Sequence, residues 1–489
     1  MSILVVDVGT SGVRAAVVRP DGSLDHVHQR PVLPATPFPG LVEVDGAAIA
    51  AATLELATAA LDGAGAVDAI GITNQRATTL VWDRSNGRPV APGIGWQDLR
   101  TVGTCLELQG RGLRLGPNAS ATKLAAILDD VDPDRSRSRS GALAFGTVDT
   151  FVAWVLSEGA VHVTDATNAA VTGLLDRDAR GWDPAVLDAL AVPEAVLPAI
   201  VDSSGAVGTA SAVAGSPPIA GIAGDQQASL VGQGCTVPGR AKATFGTGGM
   251  LDQCVGAIRP SFTARGEAGT IPIVAWRRDG ATTWGVEAIL LSAGACVEWL
   301  RDDLGVIDDA AHSEAVAAAC ADTGDVWFVP ALLGLGAPVW DFGARGTFVG
   351  ITRGTGRPEL VRAVLEGVAH RGADLREAAM ADTGLPVDTL RVDGGMAANR
   401  VFVEALADAA GVPVEVAPVV EATTLGAGFL AGIAVGTWAD EAETAALWAP
   451  AATVEPQLGE TTRLERRARW LAARARAEGT VPELSALDF

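Results

Sequence analysis

The apolar positions of this chain fall into short runs, which are separated by glycine-containing turns and by alanine-rich segments with helical periodicity. Two stretches are alike: residues 3–18 and residues 241–251 each contain a strand pattern, a small-residue turn with a hydroxyl, and a second strand pattern. Each stretch predicts a β-hairpin. Strand patterns that alternate with helical patterns in both halves favour an α/β fold.

The same patterns predict the other elements of the chain. Apolar periodicity predicts helices over residues 47–61, 226–232, 287–300, 359–379 and 424–435. Strands are predicted at residues 67–72, 80–83, 219–223, 326–330 and 414–416. We expect a loop at residues 165–168 and basic segments with a solvated face at residues 134–140 and 463–476, the last as a terminal helix.

The two hairpin turns, Gly9-Thr-Ser-Gly12 and Gly246-Thr-Gly-Gly249, suit the binding of an anion. Backbone N–H groups can approach an anion closely where no bulky side chain intervenes. Neither turn matches the P-loop pattern, and a strand pattern follows the first turn where a dinucleotide-binding fingerprint requires a helix. An ordinary tight turn remains the alternative for either one alone, but the pair indicates a duplicated architecture.

A single acid, Asp225, stands between the apolar run 219–223 and the helical pattern that follows it. It should therefore emerge where a strand ends and a helix begins, as an exposed and positioned carboxylate. In open α/β sheets, ligands gather at the carboxyl ends of strands. We interpret Asp225 as a general base and Thr247, in the second turn, as a phosphate ligand.

Length and charge narrow the class of protein. A chain of 489 residues is too long for one compact core, so two domains are expected. The formal net charge of −22 argues against nucleic-acid binding, which depends on a basic face. The apolar runs are too short to cross a bilayer, and nothing resembles a signal peptide. We therefore expect a cytoplasmic protein without a nucleic-acid or membrane partner.

Cysteine and histidine usage gives no sign of a metal site. The five cysteines are widely spaced and include no C-x-x-C pair, so neither a disulfide framework nor a zinc site is expected. The five histidines form no cluster with metal-ligand spacing. We interpret each histidine as structural or exposed.

Short motifs spread over nearly the whole chain resemble the FGGY family of carbohydrate kinases and, within that family, the glycerol kinases. They are NQR-x-TT at 74–79, WQ at 96–97, FGTVDT at 145–150, HVTD-x-TN at 162–168, GIAGDQQ at 221–227, FGTG at 245–248, WLRD at 299–302, GLGAP-x-WD at 334–341, LRVDGG at 390–395 and TTLGAGFLAG at 423–432. The family's carboxy-terminal signature fits at residues 346–351 and 359–366. Its amino-terminal signature fits at residues 120–130, except that Ala126 replaces the common tryptophan.

The resemblance implies two RNase H-like domains of the actin-like ATPase fold with a cleft between them. The first domain, residues 1–232, would carry the polyol or sugar site, the first phosphate hairpin and the catalytic acid. The second, residues 233–489, would bind the nucleotide and carry the second hairpin. ATP and Mg²⁺ would be the cofactors and a small polyol or sugar the substrate, while a homodimer or a homotetramer is left open.

The resemblance also implies roles at the matching positions. Asp225 would remove a proton from the acceptor hydroxyl, and Asp7 would support Mg²⁺ through water. The β- and γ-phosphates would meet Thr10, Ser11, Gly12, Arg14 and Thr247. The nucleotide would be surrounded by Gly294, Glu298, Gly395 and Asn399, with Glu298 in the place of a usual glutamine. The acceptor would be contacted by Arg76, Ala77, Trp96, Asn118, Asp225, Gln226 and Met250.

Three acceptor positions depart from the glycerol kinases. Ala77 replaces a glutamate that accepts hydrogen bonds from glycerol, Asn118 replaces a tyrosine, and Met250 replaces a phenylalanine. A hydrogen bond to a charged group contributes about 1.5–3 kcal/mol, so loss of the glutamate alone would weaken glycerol use by roughly 10- to 150-fold. Loss of the larger side chains should also leave a roomier pocket.

Three hypotheses therefore stay open. In the first, glycerol is the acceptor, because a neighbouring side chain or a water molecule takes over from the missing glutamate. In the second, the acceptor is a different, larger polyol or sugar. In the third, the chain is a non-catalytic, ATP-gated sensor, which the presence of Asp7, Thr10, Asp225 and Thr247 disfavours because a sensor need not retain the base.

Overall fold

The structure is a computed structural model that describes residues 1–418 and 421–487. The strands of the first half are β1 Ile3–Val8, β2 Gly12–Val18, β3 Leu24–Pro31, β4 Glu43–Val44, β5 Ala69–Asn74, β6 Leu80–Asp83, β7 Gly93–Ile94, β8 Leu143–Gly146, β9 Val163–Asp165, β10 Ala199–Val201, β11 Ser204–Thr209 and β12 Pro218–Gly224. Its helices are α1 Gly46–Ala64, α2 Val102–Gly110, α3 Ser120–Val131, α4 Ser136–Arg139, α5 Val148–Leu156, α6 Ala166–Ala170, α7 Pro184–Ala189 and α8 Asp225–Gly232.

The second half continues the alternation of strands and helices. Its strands are β13 Ala241–Phe245, β14 Gly249–Gly256, β15 Ile271–Arg278, β16 Ala281–Leu290, β17 Trp327–Val329, β18 Thr347–Val349, β19 Leu390–Asp393, β20 Val414–Val416 and β21 Ala452–Val454. Its helices are α9 Gly294–Asp302, α10 His312–Ala317, α11 Arg357–Thr383, α12 Arg400–Ala410, α13 Ala422–Ala434, α14 Glu441–Ala445, α15 Glu460–Arg474 and α16 Pro482–Ser485.

One long sheet runs through both halves, in the strand order β21-β20-β19-β13-β14-β16-β15-β11-β12-β5-β1-β2-β3. Strands β1 and β12 both pair with β5 in parallel, so the carboxyl ends of these three strands lie side by side. In the second half β13 pairs with β19 in parallel. Each half therefore gathers several strand ends at one edge, which is where α/β sheets bind ligands.

Both predicted hairpins are present. Strand β1 pairs with β2 in antiparallel register, and β13 pairs with β14 in the same manner. Strand β1 is buried along its whole length, because it lies inside the sheet and helices cover both of its faces. This burial explains why residues 3–8 form a nearly continuous apolar run, as is usual for strands covered on both sides.

Helix α13 connects the two halves, and it confirms the helix predicted at residues 424–435. It packs against β1, β5 and β12 of the first half, although it lies late in the chain. Small residues make this approach possible: a Cβ atom on Gly426 would lie 1.7 Å from the carbonyl oxygen of Ala228 in α8. A Cβ atom on Gly71 of β5 would lie 2.6 Å from the carbonyl oxygen of Ala427.

Helix α1 meets the length and composition of a membrane-crossing helix, contrary to the expectation that no apolar run does so. Its buried residues, among them Ile49, Ala52 and Leu56, belong to the core that includes residues of β1 and β2. A core helix of a soluble protein passes the same test. Its packing explains its apolar character without reference to a membrane.

Two predicted elements were wrong. Residues 287–290 form the end of strand β16, and helix α9 begins only at Gly294. A short apolar run does not by itself distinguish a buried strand from a helix, and here pairing with β14 decides the outcome. The loop expected at residues 165–168 is the end of β9 and the start of α6, and the carboxylate of Asp165 caps that helix.

The two arginine-rich segments are only partly solvated. Residues 460–474 form the predicted terminal helix, α15, but Arg467 is buried and donates to Asp374 over 2.6 Å. In the first segment Arg135 is also buried and pairs with Asp129. The expectation of a solvated face fails at these two residues because the adjacent acidic segment supplies a partner for Arg135 and the distant Asp374 one for Arg467.

Candidate active site

Asp225 occupies the junction between a strand and a helix. Strand β12 ends at Gly224, and Asp225 is the first residue of α8. Its Oδ1 atom accepts from the backbone N–H of Gln226 at 2.8 Å and lies 3.2 Å from Nε of Arg76. One third of the side chain, 33%, is exposed. Desolvation raises the pKa of Asp225, while the Arg76 guanidinium acts in the opposite direction.

Asp7 lies near the carboxyl end of β1, which is separated from β12 by β5. Its Oδ2 atom accepts from Thr424 Oγ1 at 3.2 Å and lies 3.8 Å from Nη1 of Arg14. The other terminal nitrogen of Arg14 lies 3.2 Å from Glu421 Oε1. Burial raises the pKa of Asp7 to about 6, and the charge of Asp225 contributes to that shift. The two carboxylates are therefore close enough to sense one another electrostatically.

The first phosphate-type bend follows Asp7 directly. Ser11 is exposed at its tip, and Thr10 beside it is half-buried. A Cβ atom on Gly12 would lie 2.7 Å from the carbonyl oxygen of Arg30, so the hairpin requires glycine there. Trp96 Nε1 donates to Thr10 Oγ1 at 3.2 Å, which joins a predicted acceptor residue to a predicted phosphate ligand.

The second bend carries the start of helix α9. The Thr247 carbonyl accepts from the backbone N–H groups of Ala293 and Ala295 at 2.9 and 3.0 Å, while the Thr247 side chain is exposed. The N–H of Gly294 donates to the Gly246 carbonyl at 2.8 Å. A Cβ atom on Gly294 would lie 2.6 Å from that oxygen, so close packing explains this glycine.

The remaining predicted nucleotide residues lie on α9 and around the start of α12. Glu298 is an exposed residue of α9. Gly395 is exposed and opens a short 3₁₀ helix after β19. Asn399 caps α12 by accepting from the N–H of Phe402 at 3.0 Å, and its amide nitrogen donates to Ser313 Oγ at 3.0 Å.

Polar contacts connect the two halves around Asp225. Arg76 of the first half donates through Nη2 to Glu287 Oε2 at 2.6 Å, and the same nitrogen lies 3.7 Å from Met250 Sδ. Lys242 Nζ donates to Gln226 Oε1 at 2.5 Å. Because Met250 directly follows the second bend and Arg76 also contacts Asp225, that bend lies close to Asp225. The charge of Asp225 also raises the pKa of Asp7, which precedes the first bend.

The acceptor positions that depart from the family pattern differ in exposure. Ala77 is buried with a left-handed backbone, at φ 58°, and its carbonyl accepts from Ser120 Oγ at 2.9 Å. Asn118 is exposed, and Met250 is half-buried beside Arg76. Glu287 adds a carboxylate next to Arg76 but comes from the opposite half of the chain.

Sequence reasoning missed a lysine that holds the acceptor side together. Lys123 is fully buried, and its ammonium donates to the carbonyls of Gly95, Trp96 and Asn118 at 2.8, 2.9 and 3.2 Å. Burial lowers the pKa of Lys123 to about 7. Two predicted acceptor residues, Trp96 and Asn118, are thus fixed through their backbone. The signal available in the sequence was a lone lysine within an otherwise apolar helical pattern.

The rest of the described chain offers no competing metal centre. Among the residues that the structure describes, no group of three or more His, Cys, Asp or Glu side chains is placed to hold a metal ion. His162 contacts the Phe145 carbonyl, and His370 stacks on Trp470, so both have structural surroundings. The five cysteines are free thiols.

The chain belongs to the FGGY family of carbohydrate kinases. The model of the family's N-terminal domain matches residues 2–232, and that of its C-terminal domain matches residues 254–435. The protein is therefore an ATP-dependent kinase with two domains of the actin-like ATPase fold. This confirms the fold and the class of enzyme that the motifs indicate.

Individual relatives sharpen the comparison. The chain is 45% identical to a glycerol kinase of Aromatoleum aromaticum, over 98% of this chain and 99% of that protein. The structure resembles Plasmodium falciparum glycerol kinase with ADP, with a TM-score of 0.90, 27% identity, and coverage of 97% and 98% of the two chains. A ligand-bound xylulose kinase from Lactobacillus acidophilus has a TM-score of 0.84 at 21% identity over 97% of each chain, which shows a shared fold alone.

Proposed function

We propose that this protein transfers the γ-phosphoryl group of ATP to glycerol and forms glycerol 3-phosphate and ADP. The observation that carries the proposal is the Asp225 carboxylate, which contacts Arg76. Arg76 in turn contacts Met250 after the second bend, and the charge of Asp225 acts on Asp7 before the first bend. The similarity to glycerol kinases over nearly the full length of the chain supports glycerol as the acceptor.

In this proposal Asp225 is the general base for the acceptor hydroxyl. A carboxylate whose pKa is raised by desolvation holds a proton more strongly than an ordinary aspartate, which favours proton removal. Arg76 limits that rise and fixes the carboxylate by its contact with Oδ1. The base is therefore both partly desolvated and held in one orientation.

The phosphates would be held by the two bends. Phosphoryl transfer depends chiefly on alignment and on stabilisation of charge, and the proposed ligands Thr10, Ser11, Gly12 and Thr247 would supply turn N–H groups and hydroxyls. Arg14 would add a positive charge. Asp7 fits a place beside Mg²⁺, because this ion usually binds one or two carboxylates together with substrate phosphates. Bound Mg²⁺ would supply neutralisation of phosphate charge.

The nucleoside would lie along α9 and the start of α12. Gly395 leaves room for close approach of the nucleotide, whereas Gly294 packs tightly against the Gly246 carbonyl at the start of α9. Asn399 is held in place by its own cap and by Ser313. Glu298 is an exposed residue of α9. These four residues remain the proposed nucleotide contacts.

The acceptor site would consist of Arg76, Ala77, Trp96, Asn118, Asp225, Gln226 and Met250. The alternative acceptor is a larger polyol or sugar, and the argument for it is the small or exposed side chains at positions 77, 118 and 250. Glycerol is favoured over it because the glycerol kinases align over the whole chain at above 40% identity, whereas the xylulose kinase resembles it only in fold. A cytoplasmic location belongs to the same proposal.

A coupled assay of ADP release tests the function. With ATP and Mg²⁺, we expect ADP to form when glycerol is added and not when it is omitted, with glycerol 3-phosphate identified by ³¹P NMR. ATP binding without turnover on glycerol or any other polyol or sugar would instead support the sensor hypothesis. Glycerol-independent ADP release would contradict both.

A further inference from the structure

A row of charged side chains crosses three neighbouring strands beside the acceptor site. Lys242 of β13 lies opposite Asp252 of β14, which in turn lies opposite Glu287 of β16. Lys242 and Asp252 have no exposed side-chain surface, and Glu287 is 6% exposed. The family resemblance assigned none of them a role. We call these three residues the charged row.

The ammonium of Lys242 is enclosed by oxygen atoms. It donates to Gln226 Oε1 at 2.5 Å and to Thr244 Oγ1 at 3.1 Å, and it lies 2.8 Å from Asp252 Oδ2. An ammonium group has three N–H donors and no acceptor, and three acceptors surround it here. The Lys242 side chain has no exposed surface on which a ligand could contact it, so its contact with the acceptor site passes through Gln226.

This contact decides which way the Gln226 amide faces. An ammonium only donates, so the oxygen of the amide must face Lys242, and the NH₂ group must face away from it. When it is ionised, the neighbouring Asp225 carboxylate can accept hydrogen bonds but cannot donate one. Beside each other, the two side chains then offer one acceptor and one donor to hydroxyl groups in the cleft.

We propose that Lys242, held by Asp252, is a positioning residue that fixes Gln226 as a hydrogen-bond donor to the acceptor substrate. This proposal rests on the function proposed above. The contact between Lys242 and Gln226 joins the two halves of the chain, because Lys242 lies in the second half and Gln226 in the first. Loss of Lys242 should therefore weaken acceptor recognition through Gln226 and leave the nucleotide contacts unchanged.

The test is a double-mutant cycle between the charged row and Gln226. Lys242→Met combined with Asp252→Asn removes the donor without leaving an unpaired buried charge. We expect the neutral pair to raise the KM for glycerol roughly 2- to 10-fold, the loss of one neutral hydrogen bond, with the KM for ATP unchanged. When the neutral pair is combined with Gln226→Ala, the KM for glycerol should rise no further than in Gln226→Ala alone. If the neutral pair and Gln226→Ala instead raise this KM independently, so that their effects multiply, the proposal is overturned.

A second variant tests the donor directly and disturbs the core less. Gln226→Glu keeps an oxygen for Lys242 but has no N–H to offer the substrate. We expect it to raise the KM for glycerol as much as Gln226→Ala, with the melting temperature close to that of the wild type. If the KM of Gln226→Glu for glycerol equals that of the wild type, the proposal is overturned. This result is decisive even if the neutral pair does not fold. A wild-type protein inactive on glycerol would instead contradict the proposed function.

Discussion

The two sides of the cleft differ in how closely they follow the family pattern. On the phosphate side, Asp7 near the end of β1 and Asp225 just after β12 lie on either side of β5, and they contact Arg14 and Arg76. On the acceptor side, positions 77, 118 and 250 all depart from that pattern. The difference indicates that the strand ends of the sheet fix the charges needed for phosphoryl transfer. Of the departing acceptor residues, Ala77 and Asn118 lie in loops, where they can change without altering the sheet, and Met250 lies in β14.

The largest effect is expected on the phosphate side, from Asp225→Asn. The substitution keeps the size of the side chain but removes the base, so kcat should fall about 100- to 10,000-fold while ATP binding stays near the wild-type level. Steady-state kinetics and calorimetric titration with nucleotide measure the two quantities. Asp62→Asn, at an exposed position of α1, serves as the control and should change neither. Near-normal turnover in Asp225→Asn would refute the assignment of the base.

A smaller and opposite effect is expected on the acceptor side, from Ala77→Glu. The new carboxylate would restore the acceptor that the glycerol kinases have at this position, and kcat/KM for glycerol should rise by about 10-fold or more. Ala77→Gln is the matched control, since it adds nearly the same volume without the charge and should give a smaller gain. If Ala77→Glu leaves kcat/KM unchanged or lowers it, another group already replaces the glutamate.

Much of the fold was predictable because its signals are local. The hairpins, the strand before Asp225 and the long helix α11 follow from short apolar patterns and glycine turns. The segment around Glu287 was not, because its apolar run fits a strand and a helix equally, and pairing with β14 settles it. The buried arginine Arg467 was unpredictable for the same reason, since its partner Asp374 lies far away in sequence.

Site residues that directly follow a strand were predictable from the sequence. Site residues that lie within a strand and contact the site from there were not. Asp225 was found from the first rule, whereas the role of Asp7 came from the family resemblance. Lys242 was missed, because its partner across the hairpin depends on the strand register, in which Phe245 pairs with Gly249 and Lys242 therefore faces Asp252. Glu287 was hidden by the wrong helix assignment. Thr424, which donates to Asp7, comes from the other half of the chain, and no local pattern connects the two residues.

A panel of acceptors tests the central claim most directly. The kcat/KM of the wild-type protein should be measured with glycerol, tetritols, pentitols and ketoses at saturating ATP and Mg²⁺. We predict that glycerol leads this panel clearly, in spite of the substitutions at positions 77, 118 and 250. A tetritol, pentitol or ketose with a higher kcat/KM than glycerol would contradict the proposed substrate and favour the larger acceptor.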